Sequence, residues 1–164
     1  MITLHMNQII PGNSDENKGY LFIGSYKAAT DHLSLRRNGV NFILSLVDPA
    51  VIKNDMFEDI KYHFVNIRDH PRAPIENHFS ECYNFIKKGL KEGNVLVHCY
   101  SGISRSVAII IMYLMKSLNI PYQGALEIVK VSRIQANPNN GFVSKLRDYD
   151  DLLEVLRNED KKML

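Results

Sequence analysis

One stretch, Val95 to Ser106, constrains this chain more than any other. It reads Val-Leu-Val-His-Cys-Tyr-Ser-Gly-Ile-Ser-Arg-Ser, and a long apolar segment follows it. An apolar run, a loop of small residues and a second apolar run predict a strand, a tight loop and the start of a helix. Because a helix N-terminus presents unpaired N–H groups and the positive end of the helix dipole, this stretch predicts an anion-binding site.

Cys99 lies inside this predicted anion site. The loop N–H groups and Arg105 favour the thiolate over the thiol, and a thiolate beneath a bound phosphate is a nucleophile aimed at phosphorus. A free cysteine is more often a small core residue. The pattern favours a catalytic cysteine here, because Cys99 is followed at close spacing by Gly102, Arg105 and two serines, just before the predicted helix. The planar guanidinium of Arg105 suits two phosphoryl oxygens and the charge of a phosphoryl-transfer transition state.

The spacing of Cys99 and Arg105, with His98 before and Ser106 after, resembles the signature of the protein tyrosine phosphatase superfamily. The form His-Cys-x-x-Gly-x-Ser-Arg-Ser is similar to that of its dual-specificity branch. The resemblance implies a small stand-alone catalytic domain without a cofactor. It also implies that His98 supports the thiolate and that Ser106 hydrogen-bonds the leaving thiolate in the second step. The implied phosphate-binding loop comprises Tyr100, Ser101, Gly102, Ile103, Ser104 and Arg105.

A leaving phenolate or alkoxide needs a proton, which the thiolate cannot supply. Asp69 lies in the proline-containing loop Arg68 to Pro74, 30 residues before Cys99, about where dual-specificity phosphatases carry their general acid. In the second half-reaction the same carboxylate would act as a base on water. The sequence contains no tryptophan, which excludes the Trp-Pro-Asp loop of tyrosine-specific phosphatases. The alternative is an ordinary solvated loop aspartate, as we expect for Asp48, Asp55 and Asp59.

Two residues near the last helix also match the dual-specificity pattern, in which an arginine precedes a Pro-Asn pair. By that resemblance Asn139 supports the catalytic loop, and Arg133 meets a second phosphate or an acidic substrate group. Arg72, beside the acid loop, is a candidate for the same role. A solvated surface position is an equal alternative for both arginines. Cys82 lies on the apolar face of a predicted helix, which favours core packing rather than a disulfide with Cys99.

Apolar, strand-like runs alternate with helical patterns along the whole chain. This alternation predicts one α/β domain, residues 1–164 with a core of about 7–157, and a central, mostly parallel twisted sheet of about five strands flanked by helices. The predicted strands lie at Ile9–Ile10, Tyr20–Gly24, Val40–Val47, Tyr62–Ile67 and Val95–His98. The predicted helices span Lys27–Arg37, Ile75–Lys91, Ser104 onward, Pro121–Ser132 and Phe142–Leu156, with a frayed tail at Glu159–Leu164.

The composition limits the expected partners. The sequence has 20 basic and 18 acidic residues, and a net charge of +2 is too even to indicate nucleic-acid or membrane binding by bulk charge. We read no signal peptide and no apolar run long enough for a membrane span. Two cysteines fit a reducing compartment, so we expect a cytoplasmic protein, with the nucleus possible. The six histidines show no metal-site spacing, and a monomer is the default expectation.

Three functions remain after these observations. The first is a protein phosphatase that hydrolyses phosphotyrosine and phosphoserine/phosphothreonine through a cysteinyl-phosphate. The others are a phosphatase of phosphoinositide or RNA 5′-phosphate, and a catalytically silent phosphate-binding module. Lysines in the variable loop positions would favour an inositol headgroup. The loop instead carries uncharged side chains, which favours a phosphorylated protein by elimination: Tyr100, Ser101, Ile103 and Ser104.

Overall fold

A single five-stranded sheet organises the computed structural model, which describes residues 5–9 and 18–164. The strand order is β1-β2-β5-β3-β4, and every neighbouring pair is parallel except the antiparallel pair β1 and β2. The prediction of a mostly parallel sheet of about five strands is therefore confirmed. The strands are β1 (Met6–Gln8), β2 (Leu21–Gly24), β3 (Val40–Ser45), β4 (Lys61–Phe64) and β5 (Asn94–His98).

Helices connect these strands and cover the sheet. Two short 3-10 turns, Lys53–Asp55 and Ile75–His78, accompany the α-helices in the described part of the chain. The α-helices are α1 (Tyr26–Thr30), α2 (His32–Arg37), α3 (Pro49–Ile52), α4 (Phe79–Glu92), α5 (Arg105–Leu118), α6 (Tyr122–Ser132) and α7 (Asn140–Lys162).

Both faces of the sheet are buried, because successive side chains of a strand point to opposite faces. In the central strand β5, Val95 and Val97 join a large apolar cluster with residues of α4, α5, α6 and α7. Leu96 joins a smaller cluster that includes residues of α1 and α2. Ten consecutive residues of α5, Ser106–Met115, are buried, as its continuous apolar sequence predicts. The sheet therefore fixes β5 and the start of α5 at the centre of the molecule.

Some element boundaries differ from the sequence predictions. The single helix predicted over Lys27–Arg37 is two helices, because Asp31 is extended and its side chain accepts a hydrogen bond from Ser34 N at 3.2 Å as the N-cap of α2. The strand predicted at Ile9–Ile10 is found just before these residues, at Met6–Gln8, and Ile10 is outside the described residues.

The last helix is longer than predicted. The sequence indicated a frayed tail, but α7 continues to Lys162, and Lys161 and Lys162 in its last turn complement the negative end of the helix dipole. Phe142, Leu146 and Leu153 are buried as their spacing predicts, whereas Leu156 is exposed. The helix start matters most for function, since Asn139 caps it beside the loops that follow β4 and β5.

Candidate active site

The loop after β5 emerges at the centre of the sheet, between the parallel neighbours β2 and β3. In parallel α/β folds, ligands bind at the carboxyl ends of the strands, where such loops meet. The loop reverses direction at Gly102, whose φ of +69° lies in the left-handed region. A Cβ there would also contact Gly24 O at 2.7 Å, so the turn requires glycine.

Cys99 is the first residue of this loop and is only 1% exposed. Its Sγ accepts a hydrogen bond from Gly102 N at 3.2 Å and lies 3.1 Å from Ser106 Oγ. Ser106 is fully buried in the first turn of α5. The structure thus brings together the cysteine and the serine that the sequence singled out, and both neighbours of the sulfur can donate a hydrogen bond to it.

The guanidinium of Arg105 is anchored on one side by backbone carbonyls. Its Nη1 donates to Leu46 O and to Ile67 O, each at 3.0 Å. Its Nε is buried and has no hydrogen-bond partner among residues 5–9 and 18–164. No sequence pattern indicates Leu46 or Ile67 as partners of Arg105, because every residue has the same main-chain carbonyl whatever its side chain.

His98 is fully buried at the end of β5. Its Nδ1 lies 2.9 Å from Cys99 O, and because a carbonyl only accepts, Nδ1 carries the proton and donates. Burial lowers the pKa of His98 to about 4, the nearby charge of Arg105 acts in the same direction, and the bond to Cys99 opposes both. The imidazole is therefore neutral near pH 7, and it fixes the carbonyl next to the sulfur.

Arg133 is 2% exposed, which contradicts the surface position considered from the sequence. Its Nε donates to Gly102 O at 2.6 Å, its Nη2 to Ser101 O at 3.2 Å, and its Nη1 to Asn7 Oδ1 at 2.7 Å. Burial lowers the pKa of Arg133. Each of the three guanidinium nitrogens therefore has a protein acceptor, and binding of a second phosphate by Arg133 stays a prediction. The guanidinium links the phosphate-binding loop to β1.

Asn139 connects the loop after β5 with the loop that contains Asp69. Its backbone N donates to Ser104 Oγ at 2.9 Å, and its side-chain Nδ2 donates to Asp69 Oδ1 at 2.9 Å. The side-chain Oδ1 accepts from Phe142 N and so caps α7. Asp69 itself is exposed. The predicted support residue and the predicted acid are therefore in direct contact.

The rim of the site contains an aromatic pair that the sequence reasoning missed. Tyr100 is 63% exposed and stacks on Tyr26 with a ring separation of 5.8 Å. Tyr26 N donates to Tyr100 O at 2.9 Å, and Tyr26 Oη donates to Asp55 at 3.1 Å, which raises the pKa of the Tyr26 hydroxyl. The sequence reasoning missed this pair because Tyr26 and Tyr100 lie far apart in the sequence and come together only in the fold.

The remaining predicted residues have simple positions. Ser101 is exposed, Ile103 is half-buried and accepts from Asn137 N through its carbonyl, and Ser104 is buried. Cys82 is fully buried in the core, as predicted, and burial raises the pKa of its thiol to about 12. Arg72 is exposed beside Asp69.

Neither a metal cluster nor a membrane-spanning helix is found in the part of the chain that the structure describes. No group of three or more His, Cys, Asp or Glu side chains in residues 5–9 and 18–164 is arranged to hold a metal ion. Within the same ranges, no helix has the length and apolar character needed to cross a bilayer.

A mostly parallel sheet with a Cys-x5-Arg loop between its central strand and a buried helix defines a protein of the cysteine-phosphatase class. The family model of the dual specificity phosphatase catalytic domain matches residues 21–152. The chain therefore belongs to the dual-specificity phosphatase family.

Individual relatives agree with this assignment. Mouse dual specificity protein phosphatase 15 is 37% identical over 145 residues, which cover 88% of this chain and 57% of the relative. Mouse dual specificity protein phosphatase 22 is 38% identical over 146 residues, which cover 88% of this chain and 73% of the relative. The crystal structure of DUSP15 superposes with a TM-score of 0.78 at 33% identity, covering 97% of this chain and 96% of that chain. The matched region is thus little more than half of the full length of the first relative.

Replacing Arg133 by Met should destabilise the folded protein by about 3 kcal/mol, because the carbonyls of Ser101 and Gly102 lose a charged, buried donor. Urea unfolding measures this change. The matched control is Arg36→Met, since Arg36 is exposed on α2, and its effect should stay within about 0.5 kcal/mol. Equal stabilities of the two variants would contradict a bracing role for Arg133.

The buried imidazole of His98 should make stability depend on pH. With a folded pKa of about 4 and an unfolded pKa of about 6.5, the unfolded chain binds a proton that the folded protein excludes. This contribution to stability is complete above about pH 6.5 and is lost as the pH falls toward 4. Between about pH 7.5 and pH 5 it amounts to about 2 kcal/mol.

Urea unfolding at several pH values tests this dependence. The variant His98→Asn keeps an amide donor for Cys99 O but cannot titrate, so it should lose about 2 kcal/mol less than the wild type over that range. The exposed control His70→Asn should keep the wild-type pH dependence. If His98→Asn and wild type show parallel pH profiles, His98 is not buried as a neutral group.

Proposed function

We propose that this protein is a dual-specificity protein phosphatase that hydrolyses phosphotyrosine and phosphoserine/phosphothreonine in proteins. The observation that carries the proposal is the environment of Cys99 Sγ, which accepts from Gly102 N and lies beside Ser106 Oγ at the entrance of α5. The relatives named dual specificity protein phosphatase 15 and 22 support the same activity.

In the first step, Cys99 Sγ attacks phosphorus while the bond from phosphorus to the tyrosine, serine or threonine oxygen breaks. The product is a cysteinyl-phosphate and an alcohol or phenol, whose oxygen takes its proton from Asp69. Since Nη1 of Arg105 is tethered to Leu46 O and Ile67 O, the rest of its guanidinium is oriented to bind the phosphoryl oxygens. The loop N–H groups and the start of α5 stabilise the remaining negative charge.

In the second step, water attacks phosphorus and the sulfur–phosphorus bond breaks. Asp69, now deprotonated, accepts a proton from the attacking water, which returns the acid to its starting state. The leaving thiolate is stabilised by Ser106 Oγ, 3.1 Å from the sulfur, and by Gly102 N. Inorganic phosphate and the free thiolate complete the cycle.

Neighbouring residues hold Asp69 and the phosphate-binding loop in fixed positions relative to each other. The Asn139 amide holds Asp69 Oδ1 and leaves the carboxylate exposed toward substrate and water. Asn139 also binds Ser104, so the acid loop and the phosphate-binding loop are positioned by one residue. Such fixed geometry is what proximity catalysis requires.

The substrate and setting are proposed from charge and cysteine chemistry. No side chain between Cys99 and Arg105 is charged, which favours a phosphorylated protein over an inositol polyphosphate headgroup or an RNA 5′-phosphate. Both cysteines are free and buried, which suits a cytoplasmic or nuclear environment. We further propose a single catalytic domain that acts as a monomer, without a metal or cofactor.

The nucleophile can be tested with an aryl phosphate in the presence of a chelator. Cys99→Ser should reduce turnover by at least about 10⁴-fold while phosphate binding persists, because a serine hydroxyl is not ionised near neutral pH. The matched control is Cys82→Ala, which removes the other thiol from the core and should keep turnover near the wild-type rate. Comparable activity of Cys99→Ser and wild type would refute the covalent mechanism.

The acid can be tested by the pH dependence of kcat/KM. Asp69→Asn keeps an oxygen for the Asn139 amide but cannot donate a proton, so kcat should fall by about 10²–10⁴-fold and the alkaline decline should flatten. Asp59→Asn, at an exposed position outside the acid loop, is the control and should retain the wild-type profile. An unchanged profile for Asp69→Asn would assign the acid to another residue.

A further inference from the structure

Buried polar side chains lie together at the carboxyl edge of the three central strands. Ser25 directly follows β2, His98 ends β5 and Ser45 ends β3. The sheet pairs Gly24 with His98 and His98 with Ser45, so the three strand ends are neighbours, about 4.8 Å apart. Helix α1 packs closely over this edge, since a Cβ on Gly24 would lie 2.8 Å from the Cβ of Ala28.

Each of the three side chains has a polar atom without a hydrogen-bond partner among residues 5–9 and 18–164. These atoms are His98 Nε2, Ser45 Oγ and Ser25 Oγ. His98 and Ser45 are 0% exposed, and Ser25 is 8% exposed. Because an unpaired buried polar atom is costly, nearly all such atoms in folded proteins bind a protein group or an internal water. Three of them at adjacent strand ends indicate one shared partner.

His98 and Ser45 project from the same face of the sheet. Side chains alternate along a strand, so His98 shares the face of Leu96, and Ser45 shares the face of Ile43. Leu96 and Ile43 belong to one apolar cluster, which also contains residues of α1 and α2. The unpaired atoms of His98 and Ser45 therefore lie between the sheet and these two helices, away from bulk solvent.

The hydrogen bond of His98 to its neighbour decides what this partner must be. Nδ1 donates to Cys99 O at 2.9 Å, so in the neutral imidazole Nε2 carries a lone pair and can only accept. An anion would repel that lone pair. A water molecule can donate to Nε2 and still bind the hydroxyls of Ser45 and Ser25, and internal waters typically make about three such hydrogen bonds.

We propose that one internal water molecule binds His98 Nε2, Ser45 Oγ and Ser25 Oγ, and that the two serines are positioning residues for His98. The water donates a hydrogen bond to Nε2, which keeps the imidazole proton on Nδ1 and directed at Cys99 O. In the opposite tautomer, the lone pair of Nδ1 would face the lone pairs of that carbonyl, and the contact would be repulsive.

The serines thus act on the nucleophile through His98 and do not touch the substrate. A serine hydroxyl at the end of β3 and another after β2 fix the orientation of the residue that precedes Cys99. The effect of this site on rate rests on the proposed function, because it presupposes catalysis by Cys99. The water and the tautomer do not depend on catalysis.

The tautomer of His98 can be measured by ¹⁵N NMR of the imidazole, without turnover. In the wild type, Nδ1 should carry the proton and Nε2 should resonate as a hydrogen-bonded acceptor. Ser45→Ala and Ser25→Ala should each move the Nε2 resonance toward that of an unpaired acceptor, because the water loses a ligand. The Ser25 side chain makes no cap hydrogen bond to α1, so its replacement removes no helix cap.

The matched control is Ser117→Ala. Its hydroxyl is also buried and unpaired within the described ranges, but it lies near the end of α5, about 16 Å along the helix from Ser106. This variant should leave the His98 resonances unchanged. A high-resolution crystal structure should show the water about 3 Å from Nε2. An unchanged Nε2 resonance in Ser45→Ala, or electron density without a water at Nε2, would overturn the proposal.

Kinetics with an aryl phosphate test the positioning role. Ser45→Ala should lower kcat/KM by about two- to tenfold, the factor expected for one hydrogen bond, and Ser45→Thr, which restores a hydroxyl, should recover most of the loss. Asparagine at position 98 has no tautomer to fix, so Ser45→Ala added to His98→Asn should change kcat/KM by less than twofold. Additive losses in the double variant would refute a role exerted through His98.

The two measurements separate failure of this inference from failure of the proposed activity. If the wild type shows no turnover but the His98 resonances respond to Ser45→Ala as expected, only the activity is refuted. If turnover is normal and neither serine variant changes the His98 resonances, the water site is refuted and the activity stands.

Discussion

The buried guanidinium of Arg133 is the interaction on which the phosphate-binding loop depends. A tight turn of small residues leaves the carbonyls of Ser101 and Gly102 pointing into the protein, where an unpaired carbonyl is costly. Arg133 supplies donors to both and extends a third to Asn7 on β1. The loop N–H groups can then face an anion on the other side. One side chain from the end of α6 thus allows an otherwise unfavourable backbone conformation to persist.

Positioning of the acid loop follows from a second long-range contact. Asn139 caps α7, and the same residue binds Ser104 and Asp69. The loops after β4 and β5 are therefore fixed relative to one another by the start of a helix that follows both of them in the chain. Because Ser104 and Asp69 contact the same residue, the two loops keep one relative position.

Much of the fold could be predicted because its signals are local. Apolar runs in β3 and β5 indicated strands buried on both faces, and the continuous apolar sequence of α5 indicated a central helix. Boundaries were less predictable where a side chain competes with the helix for backbone groups. At Asp31 the carboxylate caps a new helix and divides one predicted element into two.

By itself, the sequence determined the Cys-x5-Arg motif of the central loop, because the spacing from Cys99 to Arg105 is a property of seven consecutive residues and does not depend on their neighbours in space. It also indicated Asp69 and Asn139, although only through a resemblance of spacing. Only the tertiary structure decided the burial and the hydrogen-bond partners of the other arginines. Burial and hydrogen bonds to distant carbonyls made Arg133 a brace, while Arg68 and Arg72 remained exposed beside a cavity. The reason is physical: a guanidinium binds whichever acceptors folding brings within about 3 Å, and residue spacing does not specify them.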